Sequence, residues 1–333
     1  MTRQLAELPW ARPDWRPRAQ AWIDAQLAGL GLTATGAVDE VKLRPWSAVL
    51  RAPTSGGDVY FKANLPALAN EPGLTRVLAR IDPVHVLPVL AEEPGEGWML
   101  QSDGGPTMRS RLDGHDDLCR WERMLGLYAE LQMRASAHAE ELLGAGAPDR
   151  RPGELRMLFE RLVDAERGLP ASTETFSGDE HARLGALAGR VEEMAAELDA
   201  FGLPLSVDHS DLHAGNVLAP GDTYVFFDWH EAAVTHPFFS MVVAMRWLAH
   251  NHGVAAGSPE ERRLHDAYLD PWAEFGSVAS RRAALDVALR VGTLTRALGW
   301  MRVIEGLPAA EQAEWAEYVP GWLRDLWAEL ERR

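Results

Sequence analysis

The chain has 333 residues, 47% of them hydrophobic, and is long enough to bury a large core in two lobes or domains. Its formal charge of -16 opposes a nucleic-acid binder, because a phosphate backbone would be repelled over most of the surface; cationic small molecules would be attracted, although an acidic balance also serves solubility. No apolar run of about 18 residues occurs, and the start, MTRQLAELPWARPDW, lacks the basic-then-apolar order of a signal peptide, so neither a membrane span nor secretion is expected and a cytoplasmic location is.

In chain order, Trp22, Ile23, Leu27 and Leu30 recur at helical spacing and predict a helix from about Trp15 to Leu30. β-Branched and aromatic residues on both sides of a Gly-Gly turn then predict a hairpin, WSAVLRA (46 to 52) and VYFKA (59 to 63) joined through PTSGGD (53 to 58). ALANEPGLTRVLARI follows as a helix or broken helix carrying Glu71, and GWMLQS (97 to 102) as a further strand. The polar, flexible Asp103-Gly104-Gly105-Pro106 is the best boundary, dividing residues 1–102 from 103–333. Beyond it, residues 116–143, 152–167, 179–200, 259–275, 280–305 and 309–331 carry apolar residues three and four apart among Ala, Leu, Glu and Arg, and predict helices. Trp300, Trp315, Trp322 and Trp327 read as core, residues 168–178 as a surface loop, and the only cysteine, Cys119, as an ordinary packed thiol. Of the 33 basic residues only Lys42 and Lys62 are lysines. A lysine kept under such a bias is a candidate for a place that needs a compact ammonium rather than a planar guanidinium.

A short hairpin interrupts the helical half. Leu205 to Val207 reads as a buried strand leading into HSDLHAGNVL (209 to 218), and Pro220-Gly221-Asp222 turns the chain back into VFFDWHE. With Gly221 and Asp222 central in the turn, position 218 faces 225 and 216 faces 227, which makes Asn216 and Asp228 near neighbours. Directly paired strand residues lie roughly 4.5 to 5.5 Å apart, so an amide oxygen and a carboxylate there can share one cation. Hard oxygen donors suit magnesium, which fills its shell with water and phosphates, far better than zinc; they point to a nucleotide. Asp211, in the loop just upstream, can accept a hydrogen bond from an attacking hydroxyl and orient it toward phosphorus.

HSDLHAGNVL followed by VFFDW resembles the catalytic and metal-binding segments of the aminoglycoside phosphotransferase and choline kinase-like small-molecule kinases, a family whose fold is similar to that of protein kinases. The family pattern is His-Gly-Asp, four residues, Asn, then an apolar strand ending in Asp. The resemblance implies an α+β, protein kinase-like two-lobe fold: a nucleotide-binding lobe with an antiparallel sheet of about five strands (1–102, with the leading helix) and a larger, mostly helical catalytic and acceptor lobe (103–333). It implies Asp211 as catalytic base, Asn216 and Asp228 as Mg2+ ligands, and ATP as co-substrate, with GTP left open. Lys62 takes the place of the strand lysine that contacts ATP phosphates, Glu71 that of its helix partner, and backbone groups near Leu100 and Ser102 that of the hinge meeting adenine. LRPWS (43 to 47) stands where protein kinases carry a glycine-rich loop. Ser210 replaces the usual glycine, and Ser240 stands where an aspartate is usual, so any structural tie made by that aspartate is an open question. His209 is expected to anchor the loop, and His213 is kept as a site candidate.

The implied activity is transfer of the γ-phosphate of ATP to a hydroxyl of a small molecule: an aminoglycoside or other antibiotic, which would confer resistance, or a sugar, amino sugar, choline-like alcohol or macrolide. An acidic wall would suit an amine-bearing acceptor, with Glu231, Asp266, Asp270 and Glu305 as contributors unless they are ordinary exposed helix acids. Oligomeric state is not legible. Three other readings stay open. His209, Asp211, His213, Asp228 and His230 could form a metallohydrolase cluster, which leaves Asn216 and Lys62 idle. The chain could be a catalytically silent nucleotide-binding module. It could phosphorylate proteins, although no activation-loop-like stretch lies between Asp228 and His236.

Overall fold

The computed structural model describes residues 8–114 and 117–332. Helix α1 (Trp15–Gly29) is followed by strands β1 (Asp39–Arg44), β2 (Ser47–Thr54) and β3 (Gly57–Asn64), helix α2 (Glu71–Ile81), and strands β4 (Val89–Glu93) and β5 (Trp98–Ser102). The remainder holds helices α3 (Asp117–Ser136), α4 (Ala139–Gly144), α5 (Leu155–Glu166), α6 (Gly178–Gly185), α7 (Ala188–Ala200), α8 (Met241–His252), α9 (Pro259–Leu269), α10 (Val278–Val291), α11 (Thr293–Gly306), α12 (Ala309–Trp315) and α13 (Tyr318–Glu331). Between α7 and α8 run four short strands, β6 (Ser206–Asp208), β7 (Val217–Leu218), β8 (Val225–Phe226) and β9 (Ala233–Thr235). No helix among the described residues is long and apolar enough to cross a membrane.

The five N-terminal strands form one antiparallel sheet in the order β1-β2-β3-β5-β4. Successive side chains of a strand point to opposite faces. One face, with Leu50, Phe61 and Leu100, packs on Ile23 and Leu27 of α1; burying a side chain such as Phe61 contributes roughly 1.5–3 kcal/mol. The other face carries Val49, Lys62 and Gln101 toward a cleft. The β2–β3 turn is tighter than the six residues expected, because the ladder continues to the pair Thr54 and Gly57. There Thr54 Oγ1 donates to Gly57 O at 2.6 Å and accepts from Gly56 N at 3.1 Å.

The larger core holds Trp121 and Tyr128 of α3, Trp229, Phe238 and Trp272, and it also takes Leu74 and Leu78 of α2. Helix α2 therefore ties the sheet to the helical part. Several predicted long helices are broken in two: α3 and α4, α6 and α7, α10 and α11, α12 and α13. Gly292 marks one break for a steric reason. A Cβ there would lie 2.5 Å from Ala288 O and 2.9 Å from Phe239 Cδ1, so α10 ends where only glycine fits against the Phe239 segment. Helix α8 has no predicted counterpart; MVVAMRWLA is apolar on nearly every side, which erases the 3.6-residue signal. Cys119 is exposed on α3 rather than packed, since the buried stripe of that helix runs through Trp121, Leu125 and Tyr128.

Candidate active site

Lys62 projects from β3 into the cleft, and Glu71 opens α2 fully buried. Lys62 Nζ lies 2.9 and 2.7 Å from the two Glu71 oxygens, and Asn64 Nδ2 donates to Glu71 Oε2 at 2.6 Å. A buried carboxylate needs such partners, because desolvation costs several kcal/mol per ion. The same ammonium donates to Asp228 Oδ1 across the cleft. Burial alone would depress the lysine pKa, but Asp228 and Glu71 outweigh it and raise it.

Opposite Lys62 stands the short hairpin. Leu218 pairs with Val225 and Val217 with Phe226, and Phe227 N donates to Asn216 O at 3.3 Å, so 216 faces 227 as the spacing predicts. Asp211 and Asn216 meet at its base, and Asp228 lines the same cleft as Asn216. Asn216 Nδ2 donates to Asp211 Oδ2 at 2.9 Å and to Asp211 O at 3.0 Å. His213 Nδ1 accepts from Gly215 N at 2.9 Å, which leaves the Nε2 proton facing Asp211 Oδ2 at 3.3 Å. From α11, Arg296 Nη2 lies 3.4 Å from Asp211 Oδ1, while its Nη1 donates to Ser210 O at 3.1 Å and to Glu231. Burial pushes the Asp211 carboxyl up, but Arg296, His213 and His209 hold it well below the usual carboxylate range. Asp228 is likewise held low against burial, by Lys62 and by His230, whose Nδ1 donates to it at 2.6 Å.

Among the described residues, Ser210 and Asp228 alone combine a side chain with a positive φ, +62° and +68°. Left-handed backbone at a residue other than glycine costs of order 1–3 kcal/mol and persists only where its surroundings over-determine it. Both such positions here adjoin or form part of the carboxylate cluster.

The cleft, about 360 Å³, is lined by Lys62, Glu71, Asn216 and Asp228 at one end and by Gln101, Ser102, Asp103, Gly104 and Leu218 at the other. Leu100, whose backbone is expected near the hinge, turns its side chain away onto α1, and its position is paired with Phe61 and Ala91 in the ladder. Ser102 is at the cleft as expected. In LRPWS the chain makes a bare two-residue turn between Arg44 and Ser47, and Trp46 at its tip packs edge-on against Trp315 and Trp300, with centroids 4.8 and 5.8 Å apart. Of the four acids named as contributors to an acidic wall, Asp270 and Glu305 are exposed, as ordinary helix acids are. Glu231 is buried and paired with Arg296, and Asp266 is gripped by Arg282. Asp211 itself meets His213 and the buried Arg296, whose guanidinium lies over Trp300 and Trp322.

The donor set fits a magnesium ion. With the Asn216 amide nitrogen committed to Asp211, its oxygen remains free to coordinate, and Asp228 supplies a carboxylate on the same cleft wall. The histidine cluster of the metallohydrolase reading does not assemble: His209 Nε2 donates to Phe227 O at 2.9 Å, inside the core. Glu71, Asp228 and His230 do converge, but the Lys62 ammonium is bonded to two of them.

The model of the phosphotransferase enzyme family (APH) matches residues 38–275. The chain belongs to this family. Among solved structures, a choline/ethanolamine kinase family protein from Mesorhizobium loti is 17% identical with a TM-score of 0.61, each chain covered to 95%. A macrolide 2′-phosphotransferase type I is 18% identical with a TM-score of 0.56, over 92% of this chain and 96% of the other. A spectinomycin phosphotransferase in complex with ADP and spectinomycin is 12% identical with a TM-score of 0.53, over 93% and 98%. These likenesses establish the kinase-like fold. No curated protein matches the chain at a significant level.

In this phosphotransferase local spacing points to Asp211, Asn216 and Asp228 and the family resemblance to Lys62 and Glu71, but neither points to Arg296, Asn64 or Asp208. Asn64 follows Lys62 by two and shares its strand face, a signal that alternation could have supplied. Arg296 sits on a helix of ordinary composition with nothing to set it apart. The question raised by Ser240 is answered by Asp208: Ser240 Oγ donates to Asp208 Oδ1 at 2.7 Å, and His209 N approaches Ser240 Oγ at 3.3 Å.

Proposed function

We propose that the protein transfers the γ-phosphoryl group of ATP to a hydroxyl of a small molecule, with residues 1–102 as the nucleotide lobe and 103–333 as the catalytic and acceptor lobe. The observation that carries this reading is the convergence on one cleft of Lys62 with Glu71 and of Asn216 with Asp228, with Asp211 held beside it by the Asn216 amide. Family membership and the ADP held by the related spectinomycin phosphotransferase support an adenine nucleotide.

In this reading Lys62, held by Glu71, orients the nucleotide phosphates. Asn216 and Asp228 hold magnesium, which when bound offsets charge on the phosphate oxygens. Asp211 accepts the hydrogen bond of the acceptor hydroxyl and aims its oxygen at phosphorus. Its depressed pKa suits a positioning acceptor that stays ionised rather than a strong base. The far end of the cleft, around Ser102, Asp103 and Gly104, takes the base. The acceptor hydroxyl belongs to a small molecule such as an antibiotic or an amino alcohol, the kinds of substrate named for the structural relatives.

A coupled ADP-release screen of aminoglycosides, macrolides, sugars and amino alcohols tests the reading, with Asp211→Asn as control. Acceptor-dependent release that vanishes in the control is expected. Tight MgADP binding with no turnover across the whole panel would instead favour a silent nucleotide module.

A further inference from the structure

We propose that Asp208 is a positioning residue of this site: its buried carboxylate holds the backbone of His209 and Ser210, and thereby sets where Asp211 points. The inference rests on the role given to Asp211 above.

Asp208 ends β6, where pairing with Ala233 of β9 fixes its backbone. It is completely buried. Three donors converge on it: Ser210 N at 2.8 Å and Ser240 Oγ at 2.7 Å on Oδ1, and Ser210 Oγ at 2.8 Å on Oδ2. An ionised carboxylate only accepts, so the single Ser240 hydroxyl proton must go to Asp208. That choice orders the rest. Tyr128 OH, 2.9 Å from Ser240 Oγ, must donate to it, and the Tyr128 oxygen is left to accept from His209 N at 3.0 Å. Every group in this chain is buried, so water cannot replace a lost member, and bonds ending on a charge are about twice as strong as neutral ones.

The consequence falls on Ser210. Its left-handed φ of +62° is disfavoured for a side chain, and Asp208 compensates by taking both its amide and its hydroxyl. Ser210 O then points at Arg296 Nη1, 3.1 Å away, the same guanidinium that flanks Asp211. Asp208 thus governs the peptide immediately before the acceptor-positioning carboxylate without touching the cleft itself.

Asp208→Asn and the relocation variant Asp208→Ala/Ser240→Asp test this. The readouts are turnover of MgATP (with the acceptor returned by the screen, or water alone), MgADP affinity, and amide hydrogen exchange across residues 205–218. In Asp208→Asn, kcat should fall about a hundredfold, the cost of a misplaced catalytic group. MgADP affinity should stay within twofold, while the His209 and Ser210 amides exchange faster. Returning a carboxylate from position 240 should restore both amide protection and at least a tenfold share of the rate. Normal kcat and normal exchange in Asp208→Asn would overturn the proposal, as would a relocation variant that regains thermal stability but neither rate nor protection. Failure of the kinase reading looks different: the unmodified protein itself would then turn over no MgATP with any acceptor, whether or not it binds MgADP.

Discussion

Arg296 approaches Asp211 to 3.4 Å while donating to Glu231, so one buried guanidinium serves two carboxylates. Replacing it with methionine leaves Glu231 buried without its cation and should cost roughly 3–5 kcal/mol of stability, measurable by denaturant unfolding. It should also move the pH profile. The Asp211 carboxyl is depressed below its ordinary value, so it is ionised throughout the neutral range and loses its charge only well into acid. Without Arg296 its pKa rises, and the acid limb of kcat should move to higher pH. An unmoved limb would show that Asp211 is not the group titrating there.

Asp211→Asn keeps the shape of the side chain but not its charge. Turnover should drop by roughly 10²–10⁴-fold, the range for a positioned acid–base group, with MgADP affinity within a few-fold of normal. A variant retaining near-normal rate removes Asp211 from the mechanism.

Asp228→Ala should show the opposite split. Lys62 loses one of its two carboxylate partners, and the proposed magnesium site loses the carboxylate that lines the cleft with Asn216. In calorimetric titrations magnesium should strengthen ADP binding to the unmodified protein and have little effect on the variant. Equal magnesium enhancement in both would place the ion elsewhere.

His236 makes a stability prediction that is independent of catalysis. Its Nδ1 accepts from Phe238 N at 3.3 Å, and burial pushes the imidazole down to about 3. The folded protein keeps it neutral while the unfolded chain binds a proton below about 6.5. Stability from this group is therefore intact above about 6.5 and is lost as pH falls toward 3, amounting to about 2 kcal/mol between pH 7.5 and 5. His236→Asn preserves an acceptor for Phe238 N without the titration, so denaturant midpoints should fall less on acidification than in the unmodified protein.

The sequence by itself determined what depends on neighbours along the chain. Leu218 opposite Val225, and Asn216 beside Asp228, follow from a turn a few residues away, because hairpin register is a local property. The α1, β2–β3 and β5 segments were legible for the same reason: amphipathic period 3.6 or 2 records which face is buried. Lys62 and Glu71 were reached through resemblance to a motif, and the fold brings them together across nine residues.

What the tertiary structure alone decided are relations between distant segments that carry no local mark. Arg296 looks like any other arginine on an Ala/Leu/Arg-rich helix until α11 packs beside the loop that carries Ser210 and Asp211. Asp208 looks like a strand-end acid until Ser240 arrives from beyond Asp228. Leu100 and Gln101 are adjacent, yet only the docking of α1 on one face of the sheet tells which of them sees the cleft. Glu231 reads along the chain as an exposed acid or a contact for a cationic acceptor, but it is buried and its charge is matched by Arg296. The physical reason is common to all four: burial and pairing of charge are set by what lies across the core, and that partner is chosen by packing, not by spacing.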